Sequence, residues 1–176
     1  DDKPYELNIS WWSAMEDSSR DAKRFQYERF ILSQLLVMAL KGVPAFYLPA
    51  LLASENDIKS FSMTGQRRDL NREKFKSENL SAVLNNPESN ANKNLKYLRN
   101  AMDVRSKLKQ FHPCSQMKCL SKGRSDIVVI KRGKGPESVF AIHNMTENKI
   151  NYQLNDNDLP KIIDNDFNTH DFLTST

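Results

Sequence analysis

Between Gly65 and Arg72 the sequence runs Gly65-Gln66-Arg67-Arg68-Asp69-Leu70-Asn71-Arg72, with three guanidinium groups, one carboxylate and two carboxamides in eight residues. Arginine offers a planar fork of donors that grips paired oxygens, whether of carboxylates, phosphates or vicinal sugar hydroxyls. The segment opens on a turn glycine and follows an apolar run, Val43 to Leu52, that reads as a buried strand ending in a loop. Polar residues just past the carboxyl end of a buried strand are where α/β barrels put their chemistry. The same residues also suit an exposed basic turn. Composition alone leaves both readings open.

Several elements have to position this segment. Tyr5-Glu6-Leu7-Asn8-Ile9-Ser10-Trp11-Trp12 mixes aromatic and β-favouring residues and predicts an extended stretch. Adjacent tryptophans on a strand face opposite sides, so one is expected in the core and the other on a groove or interface. A long helix is predicted from about Ala22 to Leu40, its second half buried on most sides, with Lys41-Gly42 as its end. Val43-Pro44-Ala45-Phe46-Tyr47 then reads as a short, fully buried strand. A helix leading through glycine into a buried strand is one unit of a parallel α/β sheet. Leu48 to Thr64 is a long connection with short helical pieces, a length that favours function. Glu73 to Leu84 predicts a turn or two of helix. Ser89 to Phe111 predicts a long one, striped by Leu95, Leu98, Met102, Val104 and Leu108 and stopped by Pro113.

Past Pro113 the period becomes alternating. Ser115 to Leu120, Asp126 to Lys131, Glu137 to His143 and Lys149 to Leu154 are strand candidates, with turns at Gly133-Lys134-Gly135-Pro136 and Asn144 to Asn148. An edge strand is possible at Lys161 to Asp164. A boundary is therefore expected near residue 112. Residues 113–176 would form a small antiparallel, sandwich-like β domain, and the fold class is α/β plus all-β.

The 176 residues carry a net charge of +4, spread along the chain. Lys93, Lys96, Arg99, Arg105, Lys107 and Lys109 lie along the second long helix without aromatic interleaving, which argues for a solvated face and no nucleic-acid partner. No apolar run is long enough for a membrane span. Cys114 and Cys119 are too few and too oddly spaced for zinc, so no metal or other cofactor is expected, and two cysteines suit a reducing, cytoplasmic setting. Asn8-Ile9-Ser10 and Asn144-Met145-Thr146 match the glycosylation sequon, which matters only in secretion. The absence of an initiator Met suggests a fragment or a processed product.

Taken in order, Tyr5-Glu6-Leu7-Asn8, Gly42-Val43-Pro44-Ala45-Phe46-Tyr47, Asn56-Asp57 and Arg68-Asp69-Leu70-Asn71-Arg72 resemble the C-terminal part of the sucrose phosphorylase-like branch of glycoside hydrolase family 13, the α-amylase superfamily. The resemblance is strong over residues 3 to 112. It implies that residues 1–112 are the end of a (β/α)8 TIM barrel, with Ala22 to Leu40 as its seventh helix, Val43 to Tyr47 its eighth strand and Ser89 to Phe111 its eighth helix. The reaction implied is retaining transfer of a glucosyl unit from an α-glucoside, such as sucrose, sucrose 6-phosphate or glucosylglycerate, to inorganic phosphate. Such chemistry needs a carboxylate nucleophile and a carboxylic acid flanking the glycosidic bond. In the family these lie on barrel strands that precede residue 1. No catalytic residue is therefore assigned here, and the fragment alone is expected to be inactive.

By the resemblance, Arg68 holds the glucosyl hydroxyls, while Arg67 and Arg72 are expected to pair with nearby carboxylates and hold the loop. Lys3, Pro4, Tyr5 and Glu6 match the acceptor-site loop, where sucrose phosphorylases usually carry Asp and Gln at the positions of Lys3 and Glu6. A cationic Lys3 suits an anionic partner such as a sugar phosphate or glycerate. An incomplete barrel should leave apolar surface for an oligomer, a swapped pair or the missing portion. The alternative is a stand-alone carbohydrate-binding or interaction module using Trp11, Trp12 and the β domain, without chemistry.

Overall fold

A computed structural model of the chain describes residues 6–17, 19, 21, 23–155 and 173. These divide into two compact units, one drawing on Asp1–Gln34 and Ala45–Arg99, the other on Leu35–Pro44 and Asn100–Thr176. Helix α1 (Gln26–Ala39) begins at Gln26 rather than nearer Ala22. Phe25 has φ 55, a left-handed conformation from which a right-handed helix cannot be extended backwards.

In the first unit Trp12, Phe30, Ala50 and Ala53 form the core, with Met15 and Tyr27 packed against them. Trp12 meets the ring of Phe30 edge-on at 5.2 Å between centroids and that of Tyr27 at 6.3 Å, the geometry aromatic quadrupoles favour. Over residues 6–12 no strand ladder forms, and Trp11 and Trp12 lie in a turn running into a 3₁₀ helix, Ser13–Met15. Two polar side chains of α1 explain how that turn is tolerated. Gln26 Nε2 donates to Trp12 O at 3.0 Å, beside the Met15 N–H that the same carbonyl accepts, and Arg29 Nε donates to Met15 O at 2.7 Å, so the turn is tied to α1.

The short helix α2 (Leu48–Leu51) carries Pro49 in its first turn and ends beside Asn94 of helix α5 (Asn90–Lys107). Asn94 is fully buried and donates to Ala50 O and Leu51 O at 3.1 and 2.7 Å, capping carbonyls at a helix end. Helices α3 (Ile58–Thr64) and α4 (Ser77–Asn85) complete the unit. Val43 to Tyr47 departs from expectation. It joins no strand ladder, and Val43 and Tyr47 are 80% and 56% exposed. A parallel strand is buried by neighbours on both sides, and the described residues bring it none.

In the second unit three strands, β1 (Met117–Cys119), β2 (Ile127–Arg132) and β3 (Val139–Asn144), form one antiparallel sheet in chain order. Lys118 pairs with Lys131 across β1 and β2, and Lys131 with Phe140 across β2 and β3. The central strand holds the buried Ile127, Val129 and Ile130. The 3₁₀ helix Lys109–Phe111 docks on the loop between β2 and β3, with Gln110 Nε2 donating to Glu137 O at 2.6 Å. Gly133 makes that approach possible. Its φ is 82, and a Cβ there would stand 2.8 Å from Gln110 Cγ.

The expected fourth strand, Lys149 to Leu154, does not form. Asn144 closes a side-chain turn, accepting from Thr146 N at 2.9 Å and donating to Asn148 O at 2.6 Å, so the chain bends away as β3 ends. Tyr152 then lies against the Arg124 guanidinium by its ring, 5.5 Å from centroid to Cζ. The edge-strand expectation at Lys161 to Asp164 lies outside the described residues.

His143, opposite Val128 on β2, is buried, and its Nε2 has no hydrogen-bond partner among the described residues. Burial pushes the imidazole below its ordinary value. The unfolded chain therefore takes up this proton first as pH falls. Its contribution to stability is intact above about pH 6.5 and declines below it. His143→Gln is expected to flatten that part of the pH–stability curve in urea unfolding at about pH 7.5 and 5. An unchanged slope would assign the acid sensitivity elsewhere.

Candidate functional site

The arginine-rich segment is held from both ends. Asp57 caps α3, its carboxylate accepting from Ser60 N at 2.8 Å and Ser60 Oγ at 2.5 Å. Those two bonds, the hydroxyl's first, hold the Asp57 carboxyl below the usual range. Gly65 ends the helix at φ 67, its N–H donating to Phe61 O at 2.8 Å, which is the turn its residue type suggests. A 3₁₀ helix, Arg67–Asn71, follows. Thr64 Oγ1 donates to Asp69 Oδ2 at 2.7 Å, and Asp57 N donates to Leu70 O at 2.8 Å. Asp57 and Asp69 are thus spent on capping and closing the loop. Asp57 was legible as a cap, a carboxylate just ahead of a helix with serine three residues on. Thr64 gave no such signal.

A second lacing ties this loop to residues 6–13. Arg68 Nε donates to Glu6 Oε1 at 3.0 Å, Asn71 Nδ2 reaches Leu7 O at 3.5 Å, and Asn56 Oδ1 accepts from Ser10 N at 2.7 Å. Asn56 N in turn donates to Ser13 Oγ at 3.1 Å. The structure therefore brings together two of the expected site residues, Arg68 and Glu6. Lys3, Pro4 and Tyr5 lie outside the described residues. The Arg68–Glu6 pair is largely solvated, with side chains 53% and 32% exposed. Such a pair contributes only about 0–1 kcal/mol to stability. Its value lies in orientation: one edge of the guanidinium is engaged, and the two Nη groups have no partner among the described residues.

Arg67 and Arg72 do not make the expected ion pairs. Both are exposed and neither meets a carboxylate among the described residues, because Asp69 is turned towards Thr64 and Lys74. Trp12 is 4% exposed and Trp11 42%, with Trp11 Nε1 donating to Ser33 Oγ at 2.9 Å. Their split into core and surface matches expectation, and it leaves a sugar-binding module one platform instead of two. A cleft of about 610 Å³ in the same unit is lined by Ser54, Asp57, Phe75, Asn79, Leu80 and Val83 among others, and Arg68 and Glu6 do not line it. The Arg68 side chain is about half exposed among the described residues. Among the described residues no three His, Cys, Asp or Glu side chains gather as metal ligands, and no helix is long and apolar enough to cross a membrane.

No family model matches the chain. It is 31% identical over 145 residues to the glucosylglycerate phosphorylase of Allomeiothermus silvanus, covering 82% of this chain and 26% of that protein. It is 31% identical over 139 residues to that of Spirochaeta thermophila, covering 79% of this chain and 21% of the relative. With the sucrose phosphorylase of Streptococcus mutans the identity is 27% over 96 residues, 54% of this chain and 18% of the relative. The chain is a relative of the glucosylglycerate and sucrose phosphorylases. It spans about a fifth to a quarter of the length of the curated relatives it matches. In a chain of 176 residues, a matched stretch of 145 cannot avoid residues 65–72. The phosphorylase kinship therefore includes the arginine-rich loop.

Proposed function

We propose that this chain is the C-terminal part of a retaining glycoside phosphorylase that moves a glucosyl unit from an α-glucoside to inorganic phosphate. Glucosylglycerate is the first choice of donor, with sucrose and sucrose 6-phosphate behind it. The observation that carries the reading is the Arg68 fork, held through Nε by Glu6 at 3.0 Å with its Nη donors open to solvent. Paired donors of this shape suit vicinal hydroxyls of a glucosyl ring.

The chemistry needs two carboxyl groups. One attacks the anomeric carbon while the other protonates the departing aglycone oxygen. A phosphate oxygen then displaces the first carboxylate, and the second takes up the proton released. The resemblance to the sucrose phosphorylase-like branch implies that those groups lie in the rest of the protein; here Asp57 and Asp69 serve the loop and Glu6 serves Arg68. This chain alone is then a binding part without turnover. In the same reading residues 1–112 complete a (β/α)8 barrel, with Val43 to Tyr47 as the eighth strand, and residues 113–176 form the following β domain. The exposure of Val43 and Tyr47 suits a strand whose neighbours lie elsewhere in the protein. A cytoplasmic site of action fits free, exposed Cys114 and Cys119.

The test is phosphorolysis by the complete protein on glucosylglycerate, sucrose and sucrose 6-phosphate, reading release of α-glucose 1-phosphate. No phosphate-dependent release from any of the three would sink the reading. Lys3→Ala is expected to shift preference away from anionic aglycones by up to about fivefold, the size of one lost solvated charge contact. Equal losses on all donors would remove the case for an anionic aglycone.

A further inference from the structure

We infer that Glu6 is a positioning residue for Arg68, aiming its guanidinium at the glucosyl ring and not touching the acceptor itself. The inference rests on the proposed function and deepens it. Three observations carry it. Glu6 Oε1 receives the Arg68 Nε–H at 3.0 Å, and Nε carries the single donor nearest the aliphatic stem, so its capture limits rotation of the guanidinium plane. Both Nη groups then remain for a ligand. The backbone just after Glu6 is tied independently to the same loop region, by Asn71 to Leu7 O at 3.5 Å and Ser10 N to Asn56 at 2.7 Å, so the carboxylate is held beside Arg68 from its C-terminal side. Nothing else constrains Arg68: it is exposed, and Glu6 is its only side-chain partner among the described residues.

An exposed arginine without such a tether samples many rotamers and must lose that freedom on binding. Glu6 removes part of that cost beforehand. It also compensates the arginine's charge, so the fork faces neutral hydroxyls without drawing in phosphate as a competitor. These two roles separate by substitution. A glutamine keeps an oxygen that accepts from Nε but loses the charge; an alanine loses both.

The experiment is a double-substitution cycle in the complete protein, measuring phosphorolysis of glucosylglycerate. Glu6→Ala is expected to lower kcat/KM about ten- to a hundredfold, the size of effect a misplaced binding group produces. Glu6→Gln should stay within about threefold of the parent, but phosphate should become a stronger inhibitor against the glucoside. In an Arg68→Ala background, Glu6→Ala should cost almost nothing more, because a positioning residue has nothing left to position. Equal losses from Glu6→Ala with and without Arg68 would overturn the inference, as would Glu6→Gln failing as badly as Glu6→Ala. A phosphorolysis rate indifferent to Arg68→Ala would instead overturn the proposed site. A readout free of turnover is exchange of the Arg68 Nε–H with water, which should be slow in the parent and Glu6→Gln and fast in Glu6→Ala. Fast exchange in the parent would also overturn it.

Discussion

Replacing Arg68 by alanine in the complete protein should lower kcat/KM for glucosyl transfer by about a hundredfold or more, for every donor alike. The size follows from the bonds at stake. Hydrogen bonds from a charged donor are each worth about 1.5–3 kcal/mol, and the open Nη groups can make two of them to adjacent hydroxyls. Those values are already net of exchange with water, so removing both costs about 3–6 kcal/mol, a hundredfold or more, since 1.4 kcal/mol is tenfold. Uniformity across donors is the diagnostic part. The glucosyl ring is shared by glucosylglycerate and sucrose, so a group that grips the ring cannot discriminate between aglycones. Arg68→Lys should recover little, because an ammonium is a point donor and cannot span two oxygens. Folding should be nearly unaffected, as the pair with Glu6 is mostly solvated. Steady-state phosphorolysis on both donors, with thermal unfolding alongside, checks all of this. A loss confined to one aglycone would move Arg68 out of the glucosyl subsite.

The local parts of this site were legible in the sequence because their causes are local. Gly65 announced a turn and Pro113 the end of a helical pattern, and the structure has Gly65 ending α3 at φ 67 and the last helical turn, Lys109–Phe111, closing just before Pro113. The stripe of Leu95, Leu98, Met102, Val104 and Leu108 likewise signalled α5, whose α-helical part ends at Lys107, short of the expected Phe111. What could not be read were relations between distant segments. Glu6 and Arg68 stand 62 residues apart, and no spacing rule pairs them. Arg67 and Arg72 were expected to hold the loop, yet Thr64 and Asp69 do so, since a threonine hydroxyl at 2.7 Å satisfies the carboxylate first. Val43 to Tyr47 has the composition of a buried strand, but burial depends on neighbours that the composition of a segment cannot supply. The fourth strand failed for a local reason that was visible, an asparagine-rich turn after β3.

Arg132 is the strongest case of distant dependence, and its removal should be the most destabilising single change in the second unit. It ends the central strand β2, 0% exposed, where alternation alone suggests an edge residue facing water. Its Nη1 donates to Ala39 O and its Nη2 to His112 O, both at 3.1 Å, joining the end of α1 to a segment far along the chain. Arg105 works beside it, donating to Met38 O at 3.0 Å and Gly42 O at 2.9 Å. The two guanidinium groups both lie over the ring of Phe111, at 5.4 and 5.5 Å from its centroid. Two cations without a described carboxylate are tolerable here because they face the carbonyl end of α1 and an aromatic ring. The strain remains detectable: burial first, and the charge of Arg105 second, push the Arg132 guanidinium below its ordinary value. Arg132→Met keeps most of the volume but strips donors from two carbonyls, at about 1–3 kcal/mol for each one left buried. We therefore expect a loss on the order of 3 kcal/mol, with faster hydrogen exchange across β2 and a lower urea midpoint. Arg132→Lys should lose most of the same, since it keeps the charge and loses the fork. Apolar replacement of a buried charge can also stabilise a core. A rise in the urea midpoint for Arg132→Met would mean that water satisfies Ala39 O and His112 O, and that the arginine is retained for something other than stability.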